Sequence, residues 1–137
     1  MSAEYTGGCF CGSVRFSCTA EPAFTFYCHC NDCQHVGGSP FAVGLMVPMD
    51  AFSVRGDLQT YTTIGSSGEE VHRRFCPNCG SGVYLETGAV PGHVFLKAGT
   101  LDDAAWVKPQ MHLFTRSKQP WLELSDSLPQ FETMPPQ

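Results

Sequence analysis

Seven of the eight cysteines fall into three tight groups: Cys9-x-Cys11, Cys28-x-Cys30-x-x-Cys33 and Cys76-x-x-Cys79. Thiolates are soft ligands that hold zinc tetrahedrally in sets of four, and such short spacings let one turn aim two sulfurs at one ion. In "FCPNCGSG" Pro77 fixes φ just after the first thiol and Gly80 follows the second, the pattern of a zinc knuckle. One knuckle supplies two ligands. The glycine-flanked pair in "GGCFCGS" is the economical source of the other two, so Cys9, Cys11, Cys76 and Cys79 are expected to close a structural zinc site. Such a site has no vacancy for chemistry, and its value lies in closing a long loop. A thiol-redox reading of Cys76-Pro-Asn-Cys79 stands beside this one; it requires a helix starting at the motif in a βαβ setting.

Cys28, Cys30 and Cys33 then form a set of three, and three residues compete to be the fourth ligand. Cys18 shares a strand face with Val14 and Phe16 and reads as a small core residue. His29 points opposite to its two cysteine neighbours in an extended segment. His35 is the better placed, and with it the cluster is a closed site of three thiolates and one imidazole. Without it the fourth position is open to water or substrate, which is the catalytic arrangement. Three thiolates leave a bound Zn²⁺ with a net charge of minus one, a weak Lewis acid that still binds a thiol readily, so the natural occupant is sulfur. A bound thiolate needs a cation nearby, for which Arg73, Arg74, Arg116 and Lys118 are candidates; Arg73 and Arg74 point to opposite faces of a strand, so at most one serves. His29 and His35 are candidate bases, and Phe114 and Trp121 candidate pocket walls.

These groups must be carried by short strands. "SVRFSC" sets Val14, Phe16 and Cys18 on one face, and "HVFLKAG" sets Val94 and Leu96 opposite Phe95. "FAVGLMV", "FSVR", "LQTYTT", "VHRRFC" and "GVYLE" continue the pattern between Gly, Pro, Ser and Asp punctuation. Helix is limited to a turn after Cys33 and one in "TLDDAAW", where Thr100 or Asp102 is a candidate cap. The expectation is an all-β fold of short antiparallel strands with few or no helices. It forms a single domain over residues 1–137, with 128–137 as an extended tail.

The 137 residues, 42% of them hydrophobic, suffice for one packed core. The start "MSAEYTGGC" lacks a secretory pattern, and the longest apolar run, "PFAVGLMVPM", is too short to cross a bilayer. The chain therefore reads as soluble and cytoplasmic, where eight cysteines serve metal or catalysis rather than disulfides. A net charge of -5 excludes a general affinity for nucleic acid.

The succession "GGCFCGSVRF", "CHCNDCQ" with "GGSPF", "RRFCPNCGS", "AGTLDD" and "HLFTRSKQPWLEL" resembles the glutathione-dependent formaldehyde-activating enzymes, also called the GFA or centromere-protein-V family. The resemblance runs from about Thr6 to Phe131. It implies a β-rich tent with two zinc ions per chain. Cys9, Cys11, Cys76 and Cys79 match the structural site, and Cys28, Cys30 and Cys33 the catalytic one. It further implies a carbon–sulfur lyase that makes or cleaves S-hydroxymethylglutathione, with a small-molecule thiol as partner; charge and hydropathy point to neither nucleic acid nor membrane. The other class of function is a non-catalytic zinc-stabilised binding module.

Overall fold

The computed structural model describes residues 4–135. Ten strands run in chain order: β1 (Tyr5–Gly8), β2 (Arg15–Cys18), β3 (Phe24–Cys28), β4 (Ala42–Pro48), β5 (Phe52–Arg55), β6 (Gln59–Ile64), β7 (Glu70–Phe75), β8 (Gly82–Thr87), β9 (His93–Lys97) and β10 (Met111–Leu113). One α-helix, α1 (Asn31–Gly37), follows β3. The strands form a three-stranded sheet, β1-β2-β5, and a seven-stranded sheet in the order β10-β3-β4-β9-β8-β7-β6. The all-β expectation holds.

The alternation in the sequence explains the layering. Val14, Phe16 and Cys18 are 0%, 3% and 0% exposed, and they face Leu45, Val47, Val94 and Leu96 of the larger sheet across the main core. Phe95 points the other way and joins Phe26, Cys28 and Leu113 in a second, smaller core. β9 is therefore buried on both faces, with two different apolar populations.

Seven strands coincide with stretches legible as strands; β1, β3 and β10 were not legible. β1 carries Gly7 and Gly8, which have low strand propensity, and β10 is only three residues long. β10 also lies parallel to β3, the one parallel strand pair in a sheet otherwise antiparallel. The chain after it runs alongside: His112 N–H donates to Pro129 O at 2.9 Å and Phe114 N–H to Thr133 O at 3.0 Å. The helical segment starts ahead of Cys33 rather than after it, because Cys30 caps it: the Cys30 Sγ accepts the backbone N–H of Cys33 at 3.3 Å. The turn in "TLDDAAW" is present at its end, where Val107 N–H donates to Ala104 O at 3.1 Å and Asp103, rather than Thr100 or Asp102, accepts the Ala105 N–H at 2.9 Å; a separate turn precedes it at Ala98–Thr100. Asp102 caps nothing; its carboxylate binds the Arg15 guanidinium and accepts the Thr6 hydroxyl, tying the small sheet to the segment after that turn.

Candidate metal centres and cavity

The first thiol cluster sits where two turns meet. Cys9 and Cys11 lie between β1 and β2, and Cys76 and Cys79 between β7 and β8. Gly12 and Gly80, each following its pair, have φ of 84° and 81°, the left-handed conformation that turns the chain back beneath the sulfurs. Gly80 N–H donates to Cys76 O at 2.8 Å and Gly12 N–H to Cys9 O at 3.2 Å, so each loop is closed by the glycine after its second cysteine, with one residue more in the Cys76 turn. The four Sγ atoms lie within 4.8 Å of one another. Cys9–Cys11 is 3.6 Å and Cys11–Cys76 is 3.9 Å. A tetrahedral ion with bonds of ~2.3 Å would set its ligands about 3.8 Å apart, whereas a disulfide needs about 2.05 Å. The spacing therefore fits a four-thiolate site.

Donors around the sulfurs favour the ionised form. Val14 N–H reaches Cys9 Sγ at 3.2 Å and the Asn78 amide reaches Cys11 Sγ at 3.2 Å. The Ser81 hydroxyl beside Cys79, with the Ser81 backbone, draws that thiol down to about 5. No helix begins at Cys76-Pro-Asn-Cys79, since β8 follows directly, so the setting that a redox motif requires is missing.

The second cluster is local. Cys28 ends β3, Cys30 caps α1 and Cys33 lies in its first turn, and the three Sγ atoms lie within 4.8 Å of one another. Cys28–Cys30 is 3.4 Å. The thiols share protons unequally. Hydrogen bonds from Cys28 and then Cys33 hold Cys30 well below the ordinary thiol range, with Arg73 adding to the pull, while donation to Cys30 pushes Cys28 up. One thiolate stabilised by two thiols and a backbone N–H is a donor set suited to a divalent cation. Among the described residues no His, Asp or Glu joins the three sulfurs. His35 is exposed on α1 with Nδ1 3.0 Å from Asn31 O, and Cys18 is buried in the main core.

Cys28 and Cys33 form part of the wall of a cavity of about 190 Å³ on the second-core side of the larger sheet. Two charged residues line it, Arg73 and Lys97. Arg73 donates to Thr63 Oγ1 at 2.8 Å, and neither cation pairs with a carboxylate among the described residues. Lys97 draws on Cys33 as Arg73 does on Cys30. Arg74 points to the opposite face and binds Glu86 at 2.6 Å. Lys118 donates to the carbonyls of Gln119 and Leu122, Arg116 is exposed, and Trp121 is 68% exposed, so none of these three serves the cavity. Phe114 does line it, at a backbone φ of 58° that an aromatic residue rarely adopts. Lys97 is the cation the sequence reading passed over. The signal was present, because alternation along β9 puts Lys97 on the face of Phe95.

The profile of the family described as "Glutathione-dependent formaldehyde-activating enzyme" matches residues 4–117, a span that holds both clusters and both cavity cations. The chain belongs to this family. A putative glutathione-dependent formaldehyde-activating enzyme of Phaeosphaeria nodorum is 29% identical over 124 residues, covering 83% of this chain and 64% of that protein. An uncharacterized lyase of Schizosaccharomyces pombe is 28% identical over 82 residues, covering 60% of this chain and 57% of that protein. The chain thus spans about three fifths of the length of these curated relatives. A crystal structure of a Rhodobacter sphaeroides protein superposes with a TM-score of 0.57 at 22% identity, over 76% of this chain and 91% of that one, and shares the fold. No described helix is long and apolar enough to cross a membrane.

Within this family member, His29 turns away from its cysteine neighbours, as alternation requires, and enters a buried chain of polar groups. His29 Nε2 lies 2.9 Å from His112 Nδ1, and His112 Nε2 lies 2.8 Å from Asp126 Oδ2. His29 and His112 are 0% and 2% exposed, and Tyr27 stacks on His112 at 4.5 Å. The carboxylate fixes the tautomers: His112 Nε2–H donates to Asp126, so His112 Nδ1 accepts from His29 Nε2–H. His29 Nδ1 is left buried without a partner. This chain was not legible in the sequence, since His112 is 83 positions from His29 and belongs to the parallel strand.

Burial first, then the nearby His112 and Lys118, hold the His29 imidazole below its ordinary value. The unfolded chain therefore takes up a proton near pH ~6.5 that the folded chain refuses. The stability this group contributes is complete above about pH 6.5 and drains as pH falls towards the lower folded value. Urea midpoints should drop between about pH 7.5 and 5.5, and His29→Gln should flatten the slope by up to roughly 1 kcal/mol per pH unit. Parallel slopes would remove His29 from the account.

Proposed function

We propose that the chain is a zinc-dependent carbon–sulfur lyase acting on a thiol–aldehyde adduct such as S-hydroxymethylglutathione. The observation that carries this reading is the inequality of the two clusters. Four sulfurs close on one another where two loops meet, while three gather at a cavity wall with no fourth protein ligand among the described residues. Cys9, Cys11, Cys76 and Cys79 would hold a structural zinc, and Cys28, Cys30 and Cys33 a catalytic one. Bound in the second site, zinc would supply Lewis acidity suited to stabilising a thiolate.

The protein's own groups do the rest. Arg73 and Lys97 offset the negative charge that gathers beside the cysteines. In cleavage the C–S bond breaks with its electron pair going to sulfur, the C–O bond becomes a carbonyl, and the hydroxyl proton leaves. Among the described residues no histidine or carboxylate lines the cavity, so neither His29 nor His35 is positioned to take that proton, and in this reading it passes to solvent. A reducing, cytoplasmic setting keeps the thiols in the form that this chemistry uses.

Metal analysis of purified protein should find two zinc ions per chain, one of which leaves under mild chelation. In the cobalt-substituted protein an added thiol should shift the absorption of one of the two ions. A single zinc per chain before any chelation, or a spectrum indifferent to every thiol, refutes the open-site reading.

A further inference from the structure

Building on the open three-cysteine site of that reading, but replacing S-hydroxymethylglutathione as its adduct, we propose that the thiol reaching the site carries a compact, uncharged apolar body, seated in the cavity beside Cys28 and Cys33. Three observations meet here. The cavity's walls are apolar: Phe26, Leu85, Val90, Phe95, Leu113 and Phe114 dominate them. Its volume, about 190 Å³, is below the roughly 300–1,000 Å³ of ordinary drug-sized ligand pockets, so it takes a small ring or a branched alkyl group.

The third observation is the charge balance. Three cysteine thiolates with a divalent ion carry one net negative charge, and an incoming thiolate adds a second. Arg73 and Lys97, the two cations among the described residues of the lining, match those two charges and leave none over. A peptide thiol such as glutathione brings two further carboxylates, for which the described lining offers no third cation, only the hydroxyls of Ser66, Ser67 and Thr87; burying them without a counter-charge is costly. A larger depression of about 710 Å³ adjoins this one through Ala42, Val43 and Lys97, but no cysteine of the three-membered cluster lines it. The group next to the reacting sulfur therefore rests against the aromatic walls.

The test uses cobalt-substituted full-length protein titrated with benzyl mercaptan, 2-mercaptoethanol and glutathione, read by the cobalt absorption. Benzyl mercaptan should bind roughly tenfold to a hundredfold tighter than either of the others, the gain expected for burying a phenyl-sized body. Leu85→Gln should narrow that ratio, and Val90→Ser, half-buried in the turn after β8 and outside every strand, should do so in a variant with less bearing on folding. Equal affinities, or glutathione the tightest, would overturn the inference while leaving the open site standing. No spectral response to any of the three overturns the open site and this inference together.

Discussion

Cys30→Ser protein is expected to fold, to hold one zinc fewer than the parent and to lose lyase activity by at least about 100-fold, since even disturbing the outer partners of metal ligands reaches losses of that size. The fold survives because Cys30 has a second duty that serine performs better. Its Sγ caps α1 by accepting the Cys33 N–H, and serine is among the preferred N-cap residues. The residue is half-buried at the edge of the second core, so an oxygen in place of sulfur strands no deeply buried polar atom. Circular dichroism should keep the parent's β-sheet spectrum and a cooperative melt. A variant that keeps full activity, or one that unfolds, would each contradict the proposed role.

Cys76→Ser should behave in the opposite way and unfold the chain. Cys76 is 0% exposed and packs in the main core, and it joins a loop of the large sheet to Cys11, 65 positions earlier. Closing a loop of that length is worth about 4 kcal/mol in chain entropy. Structural zinc contributes an apparent ~10–16 kcal/mol, against a total stability of about 5–15 kcal/mol for a small domain. The loss therefore matches or exceeds what the fold has in reserve. Expression in inclusion bodies, or a spectrum without cooperative melting, is the expected outcome. Two variants with the same phenotype would erase the division of labour between the clusters.

The sequence was informative wherever a signal was local. The alternation of Val14, Phe16 and Cys18 located the main core, the Cys-x-x-Cys spacing with Pro77 and Gly80 located a knuckle, and the adjacency of Arg73 and Arg74 said that only one could face the cavity. It was silent where partners come from distant segments. Strands rich in glycine or three residues long give no periodic signal, which concealed β1 and β10. With β10 hidden, so was the path from His29 through His112 to Asp126. The size and polarity of the cavity likewise follow from β3, β4, β9, β8 and β7 lying side by side, an arrangement that no single stretch encodes.

The two thiol clusters differ also in when they can exist. The set at Cys28, Cys30 and Cys33 is complete within one turn of chain, whereas Cys11 must wait for a partner 65 positions downstream. At a synthesis rate of roughly 5–20 residues per second the wait lasts about 3 to 13 seconds. During that interval Cys9 and Cys11 are the exposed thiols of an unfinished chain, and the local cluster has first claim on any metal at hand. Long-range closure comes later than the local cluster, which makes the completed four-sulfur cluster a mark that β7 and β8 have reached their places.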